Sequence, residues 1–110
     1  MRNQPIDLGT SVIASAGTEG TAIEFKRKPV RGIVIYAPAA LTGTVTVQVA
    51  TGATEAAAVW VTLQSAGSDI TVAAAKAVTI DAVAWDWMRM LSDGAEAATR
   101  TFTVMAYEDV

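Results

Sequence analysis

The sequence predicts an all-β protein, an antiparallel β-sandwich for which a jelly-roll arrangement is one option. Three observations support this prediction. Polar and apolar residues alternate in several short segments, no segment has a sustained period of 3.6 residues, and turn-rich stretches separate the segments. Alternation places successive side chains on opposite faces of a strand, and many short strands with frequent turns are typical of sandwiches and barrels.

The clearest alternation lies within residues 44–63. Residues 44–49 and 58–63 both alternate, and a stretch of small and polar residues separates them. We expect an antiparallel hairpin with one buried apolar face, because an isolated two-stranded hairpin is marginally stable in water. Together with the last alternating segment, this hairpin predicts a core that includes Val45, Val47, Val49, Val59, Val61, Leu63, Phe102 and Val104.

Further strands are predicted on both sides of this hairpin, at residues 21–26, 30–36, 70–72, 77–81, 85–91 and 100–107. Residues 64–69 are predicted to form a loop, and residues 73–76 a turn, because the short alanine run lies between β-branched segments that do not sustain a helix. We find no internal repeat and no linker, so residues 21–110 are interpreted as a single β-sandwich domain.

Residues 1–20 are interpreted as an extended N-terminal arm. Their apolar residues are only loosely patterned, and glycines interrupt both helical and strand patterns. One alternative is a frayed terminus that contains one edge strand. The functional interpretation is an arm that lies on a neighbouring subunit, with Ile6, Leu8 and Ile13 as its anchors.

Length and composition limit the function classes. The 110 residues fit one domain, and 52% of them are hydrophobic but only 6% are aromatic, which predicts a thin aliphatic core that gains stability by association. The net charge of −3 does not attract nucleic acid. No apolar run approaches the roughly 20 residues of a membrane span, and the N-terminus lacks the apolar segment of a secretory signal. We therefore expect a soluble protein that is made in the cytoplasm.

The absence of cysteine and histidine excludes disulfides, Cys/His zinc sites, cysteine nucleophiles and histidine bases. Asp81 and Asp86 could form a pair of catalytic carboxylates, although nothing in the sequence determines their separation. Other acidic residues could supply oxygen ligands for Ca²⁺, but no calcium-loop motif is present, and solvated turn residues are the alternative. They are Asp69, Asp93, Glu96, Glu108 and Asp109. The sequence thus predicts no enzyme and no cofactor.

Two groups of residues are candidates for contacts with partners. Half of the eight basic residues lie within six positions, at Lys26, Arg27, Lys28 and Arg31. No aromatic residue interleaves them to stack on bases, so an acidic partner surface or a soluble, charged sheet edge is expected rather than nucleic acid. Trp60 and Trp87 fall opposite the apolar faces of their strands, which suggests interface anchors. Coverage by the arm or loops, or stacking on sugar rings, are the alternatives for these rings.

Most of the chain resembles the small virion structural proteins of tailed bacteriophages, especially head decoration (cement) proteins. The resemblance lies in the glycine- and serine-containing N-terminal arm and in residues 41–49, 60–65, 87–92 and 100–104. It implies a β-sandwich on the outer capsid that stabilises the shell by noncovalent contacts with the major capsid protein and with sister copies, for example as a trimer. It implies that the chain has no catalytic residue and binds neither nucleic acid nor a membrane. The alternatives are a head–tail or tail component and, from another class, a carbohydrate-binding module that uses the tryptophans.

Overall fold

The structure is a computed structural model that describes residues 5–25 and 30–108, with backbone only for residues 5, 107 and 108. Eleven strands follow one another within these ranges. They are β1 (Pro5–Ile13), β2 (Ile23–Glu24), β3 (Val30–Tyr36), β4 (Val45–Ala50), β5 (Val61–Thr62), β6 (Gln64–Ser65), β7 (Ser68–Asp69), β8 (Thr71–Val72), β9 (Ala77–Ile80), β10 (Trp87–Ser92) and β11 (Arg100–Glu108). A single 3₁₀ turn, Glu55–Ala57, interrupts the connection between β4 and β5.

The strands form two antiparallel sheets that pack face to face. Sheet A has the order β1-β11-β3-β9, and sheet B has the order β2-β10-β4-β5 with β8 also paired to β4. The short strands β6 and β7 form a separate hairpin within the stretch predicted to be a loop. The predicted all-β class and antiparallel sandwich are confirmed.

The core lies between the two sheets and follows the alternation of the sequence. In sheet B, the buried side chains come from alternate positions of β4 and β10; in sheet A, they come from β3 and β11. These residues are Val45, Val47, Val49, Met88, Met90, Ile33, Ile35, Phe102, Val104 and Ala106. Burial of each large aliphatic or aromatic side chain contributes roughly 1.5–3 kcal/mol.

The second half of the predicted hairpin is shorter and more exposed than expected. Val61 does pair with Val49, but β5 contains only two residues. Val59 and Val61 are 75% and 57% exposed, and Leu63 is half-buried. The prediction that these three residues are core residues is therefore wrong for Val59 and Val61. Alternation identifies the side of a strand on which a residue lies, but at this edge of sheet B no described element covers that side.

Residues 5–13 are an edge strand of the sandwich and not a separate arm. Strand β1 pairs along β11, and Leu8 and Ile13 are 6% and 0% exposed within the chain's own core. Ile6 is half-buried and packs against the same cluster. The proposed boundary at residue 20 is corrected accordingly, and Leu8 and Ile13 are not free to anchor the chain to a neighbour.

A bulge explains why the alternation of β1 is difficult to recognise. The register with β11 shifts between Asp7 and Gly9, where Gly9 has a φ of 117°. A bulge inserts one unpaired residue, so the inward-facing positions change phase from Leu8 to Ser11 and Ile13. A pattern that changes phase within nine residues does not look like a strand in the sequence.

Candidate functional site

A buried carboxylate joins three segments at one end of the sandwich. The side chain of Glu96 is 0% exposed. Its Oε1 accepts hydrogen bonds from the backbone N–H of Thr42 at 2.8 Å and from Nε of Arg100 at 2.9 Å. Its Oε2 accepts from the N–H of Gly43 at 2.8 Å and from Oγ of Ser92 at 2.7 Å. We call these five residues the Glu96 network.

The hydrogen bonds of this network hold Glu96 in its ionised form. Burial by itself raises the pKa of Glu96, but the donors from Thr42, Gly43, Ser92 and Arg100 outweigh that effect and lower the pKa from 4.5 to about 2. Because all four of these bonds end within the chain, the carboxylate is engaged in holding the loop before β4, the loop after β10 and the start of β11. These contacts give Glu96 a structural role in joining the three segments.

The other acidic candidates are also not assembled into a site. Within the described ranges, no three acidic residues form a group that could hold a metal ion. Asp93 accepts from the N–H of Thr44, and Asp69 accepts from the Gln64 amide. The side chain of Glu108 and the whole of Asp109 lie outside the described residues. Within the described residues, the fold therefore does not bring together the acidic residues that were candidates for Ca²⁺ ligands.

The two candidate catalytic aspartates have different surroundings. Asp81 is exposed after the end of β9, whereas Asp86 is half-buried before β10. Oδ2 of Asp86 accepts a hydrogen bond from the N–H of Gly52 at 2.9 Å, which holds the loop after β4. The Asp86 carboxylate thus helps to position this loop.

The outer face of sheet B carries Trp60 and Arg89. The guanidinium carbon of Arg89 lies 4.2 Å from the centre of the Trp60 ring, a cation–π contact. Nε of Arg89 donates to Gln48 at 2.8 Å, and its NH1 forms an ion pair with Glu19 at 2.6 Å. The sequence places Trp60 on the outer face correctly, but Arg89 covers one face of the ring.

The remaining partner candidates are placed as follows. Trp87 is half-buried, and its Nε1 donates to the carbonyl oxygen of Gly52 at 3.1 Å. Arg31 is exposed on β3. Lys26, Arg27 and Lys28 lie outside the described residues, so their role in binding stays a prediction.

The outer face of sheet A is almost free of charge. Its side chains are those that alternate with the buried positions of β1, β3, β9 and β11, and we call them the sheet A outer face. They are Asp7, Thr10, Val12, Val34, Tyr36, Ala77, Thr79, Thr101, Thr103 and Met105. Only Asp7 among these ten is charged, and Tyr36 is 48% exposed. Low charge, an exposed Tyr36 and a half-buried Met105 agree with the composition of protein interfaces, in which charged residues are depleted and Tyr and Met are enriched.

The sequence does not single out this surface, because its residues are common strand formers such as Thr and Val. The signal was present as a run of uncharged residues at the outward positions of the strands, such as Thr101, Thr103 and Met105 on β11. The four strands that carry these positions are distant in sequence, so only the strand order shows that they form one surface.

A groove lies between the two sheets at the free edge of β9. It has a volume of about 400 Å³, and its apolar lining comes from Leu63 and Ile70 on one side and from Val78 and Ile80 on the other. The exposed side chains of Val59 and Val61 lie on the segment that leads into Leu63. Apolar side chains are thus exposed at this edge of the sandwich, whereas β1 and β2 contact each other at the opposite edge.

Comparison with protein-family models, with curated proteins and with solved structures finds no match to this chain. No helix within the described residues is long and apolar enough to cross a membrane.

Proposed function

We propose that this chain is a non-enzymatic virion structural protein, a decoration protein that stabilises the head shell of a tailed bacteriophage. Its partners in this role are the major capsid protein and sister copies of the chain. The observation that carries the proposal is the sheet A outer face, where nine of the ten outward side chains that the structure describes are uncharged. The sequence resemblance to decoration proteins agrees with this role.

The size of this face favours repeated, individually weak contacts. Four strands spaced about 4.8 Å apart give a flat patch roughly 14 Å across between the outer strand axes. A standard stable interface uses about 20–30 residues on each side, which is two to three times the number on this face. A protein that binds a shell at many equivalent positions gains avidity when sister copies are linked, so a modest patch is sufficient.

The engagement of the polar side chains supports a mechanical rather than a chemical role. Glu96 and Arg100 tie loops together at one end of the sandwich, and Arg89 is held by Gln48, Glu19 and the Trp60 ring. Side chains that are bonded within the chain in this way make the sandwich rigid, and a protein that holds neighbouring capsid subunits together needs a rigid scaffold.

The carbohydrate-binding alternative receives less support from the geometry. Stacking on a sugar needs an open aromatic face, but Arg89 lies over Trp60, and the indole N–H of Trp87 is bonded to Gly52. The third ring, Trp85, packs against Phe25 with a centroid distance of 5.8 Å. A tail component would use the same kind of uncharged face, so binding to separated heads and tails has to distinguish these two locations.

Co-sedimentation with particles of the phage that encodes the chain tests the proposal. Wild type should sediment with undecorated heads and not with purified tails. The double variant Thr10→Asp/Tyr36→Asp places two charges on the sheet A outer face and should weaken head binding at least about tenfold, because like or unpaired charges in an interface are costly. Thr71→Asp, an exposed substitution on sheet B, serves as the matched control and should bind as wild type does.

Other outcomes of this experiment would contradict the proposal and favour one of the alternatives. Head binding by the double variant at wild-type strength excludes the sheet A outer face as the contact. Binding to tails alone replaces the decoration role with the tail alternative. Failure to bind any particle, combined with retention on a polysaccharide column that Trp60→Ala abolishes, supports the sugar-binding module instead. Circular dichroism confirms that each variant is folded.

A further inference from the structure

Strand β9 is the least protected edge of the described sandwich. It forms one end of sheet A and pairs without interruption with β3 through all four of its residues. By contrast, β1 at the other end of sheet A contains a bulge, and the end strands β2 and β5 of sheet B have two residues each. Proteins normally block such edges with bulges, prolines, charges or very short strands. The sequence Ala-Val-Thr-Ile of β9 contains none of these devices.

The hydrogen-bonding pattern shows which groups of β9 are directed outward. The N–H of Ala37 donates to the carbonyl oxygen of Lys76 at 3.0 Å. In an antiparallel ladder this bond identifies Tyr36 and Ala77 as a non-hydrogen-bonded pair, in which the backbone groups of the two residues do not bond to each other. Ala77 and Thr79 therefore direct their backbone N–H and C=O groups away from β3, toward the open edge.

The charges that flank β9 make this edge complementary to itself. Lys76 precedes the strand and Asp81 follows it, and both are exposed. If a second copy approaches antiparallel about a two-fold axis, Ala77 of each copy pairs with Thr79 of the other, and Lys76 then lies one residue along the partner strand from Asp81. A parallel approach would place like charges together, which is unfavourable for cross-strand neighbours. Two-fold dimers require this kind of self-complementary patch.

The groove beside β9 provides apolar surface for the same contact. Val78 and Ile80 face the interior side of sheet A, and Leu63 and Ile70 line the groove opposite them. In an antiparallel pair of β9 strands, Val78 and Ile80 of the second copy lie on this same side. Their side chains therefore cover the groove and remove its apolar lining from water.

We propose that β9 of one copy pairs antiparallel with β9 of a second copy, so that two four-stranded sheets A join into one continuous eight-stranded sheet. The dimer does not depend on the function proposed above, because it forms from the isolated chain. It uses a short strand and one groove, so we expect a weak interface that associates in a concentration-dependent way.

Sedimentation velocity of the purified chain tests this dimer. Measurements from about 10 µM to about 1 mM, where weak interfaces associate, should show wild type shifting from monomer to dimer. Thr79→Pro removes an outward N–H and should leave a monomer throughout; proline is tolerated at an edge position whose N–H does not face a neighbouring strand. Glu55→Lys, an exposed charge change in the 3₁₀ turn, is the control and should dimerise as wild type does.

A charge swap tests the antiparallel arrangement itself. Lys76→Glu should raise the dissociation constant about 3- to 10-fold, because two exposed attractive pairs become repulsive. The double variant Lys76→Glu/Asp81→Lys restores opposite charges across the two-fold axis and should return the constant to near the wild-type value. A wild-type monomer at every concentration, an undiminished dimer in Thr79→Pro, or a double variant as weak as Lys76→Glu would each overturn the proposal. Head binding by Lys76→Glu, a substitution outside the sheet A outer face, separates this result from the decoration role.

Discussion

The substitution Glu96→Gln tests the energetic role of the Glu96 network. It keeps the size and shape of the side chain but removes the negative charge and replaces one acceptor oxygen with an NH₂ group. That group then faces a backbone N–H, of Thr42 or of Gly43, instead of accepting from it, whichever oxygen it replaces. Arg100, whose side chain is 14% exposed, also loses its ionic partner.

The pKa of Glu96 provides a magnitude. Its decrease from 4.5 to about 2 corresponds to about 3 kcal/mol of stability, at 1.36 kcal/mol per unit of pKa. Because the folded-state pKa is depressed, this contribution is fully present above about pH 4.5 and is lost as the pH falls toward 2. Near neutral pH, the variant should therefore be less stable than wild type by about 3–5 kcal/mol, the cost of breaking a buried ion pair on one side.

Urea unfolding at a series of pH values measures this effect. The difference in the free energy of unfolding between wild type and Glu96→Gln should be largest above pH 5 and should shrink as the pH approaches 2. Glu55→Gln, which alters an exposed carboxylate, should show no comparable difference. A difference between wild type and Glu96→Gln that stays constant from pH 6 to pH 2.5 would refute the assignment of a depressed pKa to this network.

Five further substitutions test the packing by urea or thermal unfolding. Val47→Ala should lower the free energy of unfolding by about 1–3 kcal/mol because the side chain is fully buried. Val61→Ala, at an exposed edge position, should change it by less than about 0.5 kcal/mol. Equal losses for the two variants would contradict the assigned exposure of these residues. Phe102→Ala should cost about 3–5 kcal/mol, and a loss below 1 kcal/mol would place the ring outside the core. Gly20→Ala should cost about 1–3 kcal/mol because an added Cβ collides with Oγ of Ser11 and lies 3.0 Å from the backbone oxygen of Met90 in β10. Gly94→Ala, with open space around it, should be nearly neutral.

The sequence by itself determined the strand class and the inward faces of the central strands. The predicted strand at residues 30–36 coincides with β3, and the inward positions of β4 and β11 were predicted correctly, as Val47 and Phe102 show. These features depend on local alternation, because the two-residue period of a strand assigns neighbouring side chains to opposite faces wherever the strand lies.

The tertiary structure decided which of those faces are covered and which residues meet. Val61 has the same alternation as Val47 but lies on a two-residue edge strand where its side chain stays exposed. Leu8 and Ile13 look like parts of a loose arm, yet pairing with β11 across most of the chain length makes them core residues. Glu96 looks like a turn residue until contacts with Thr42 and Gly43, more than fifty positions away, bury it. Burial depends on pairings between distant segments, and a local pattern contains no information about which segments will pair.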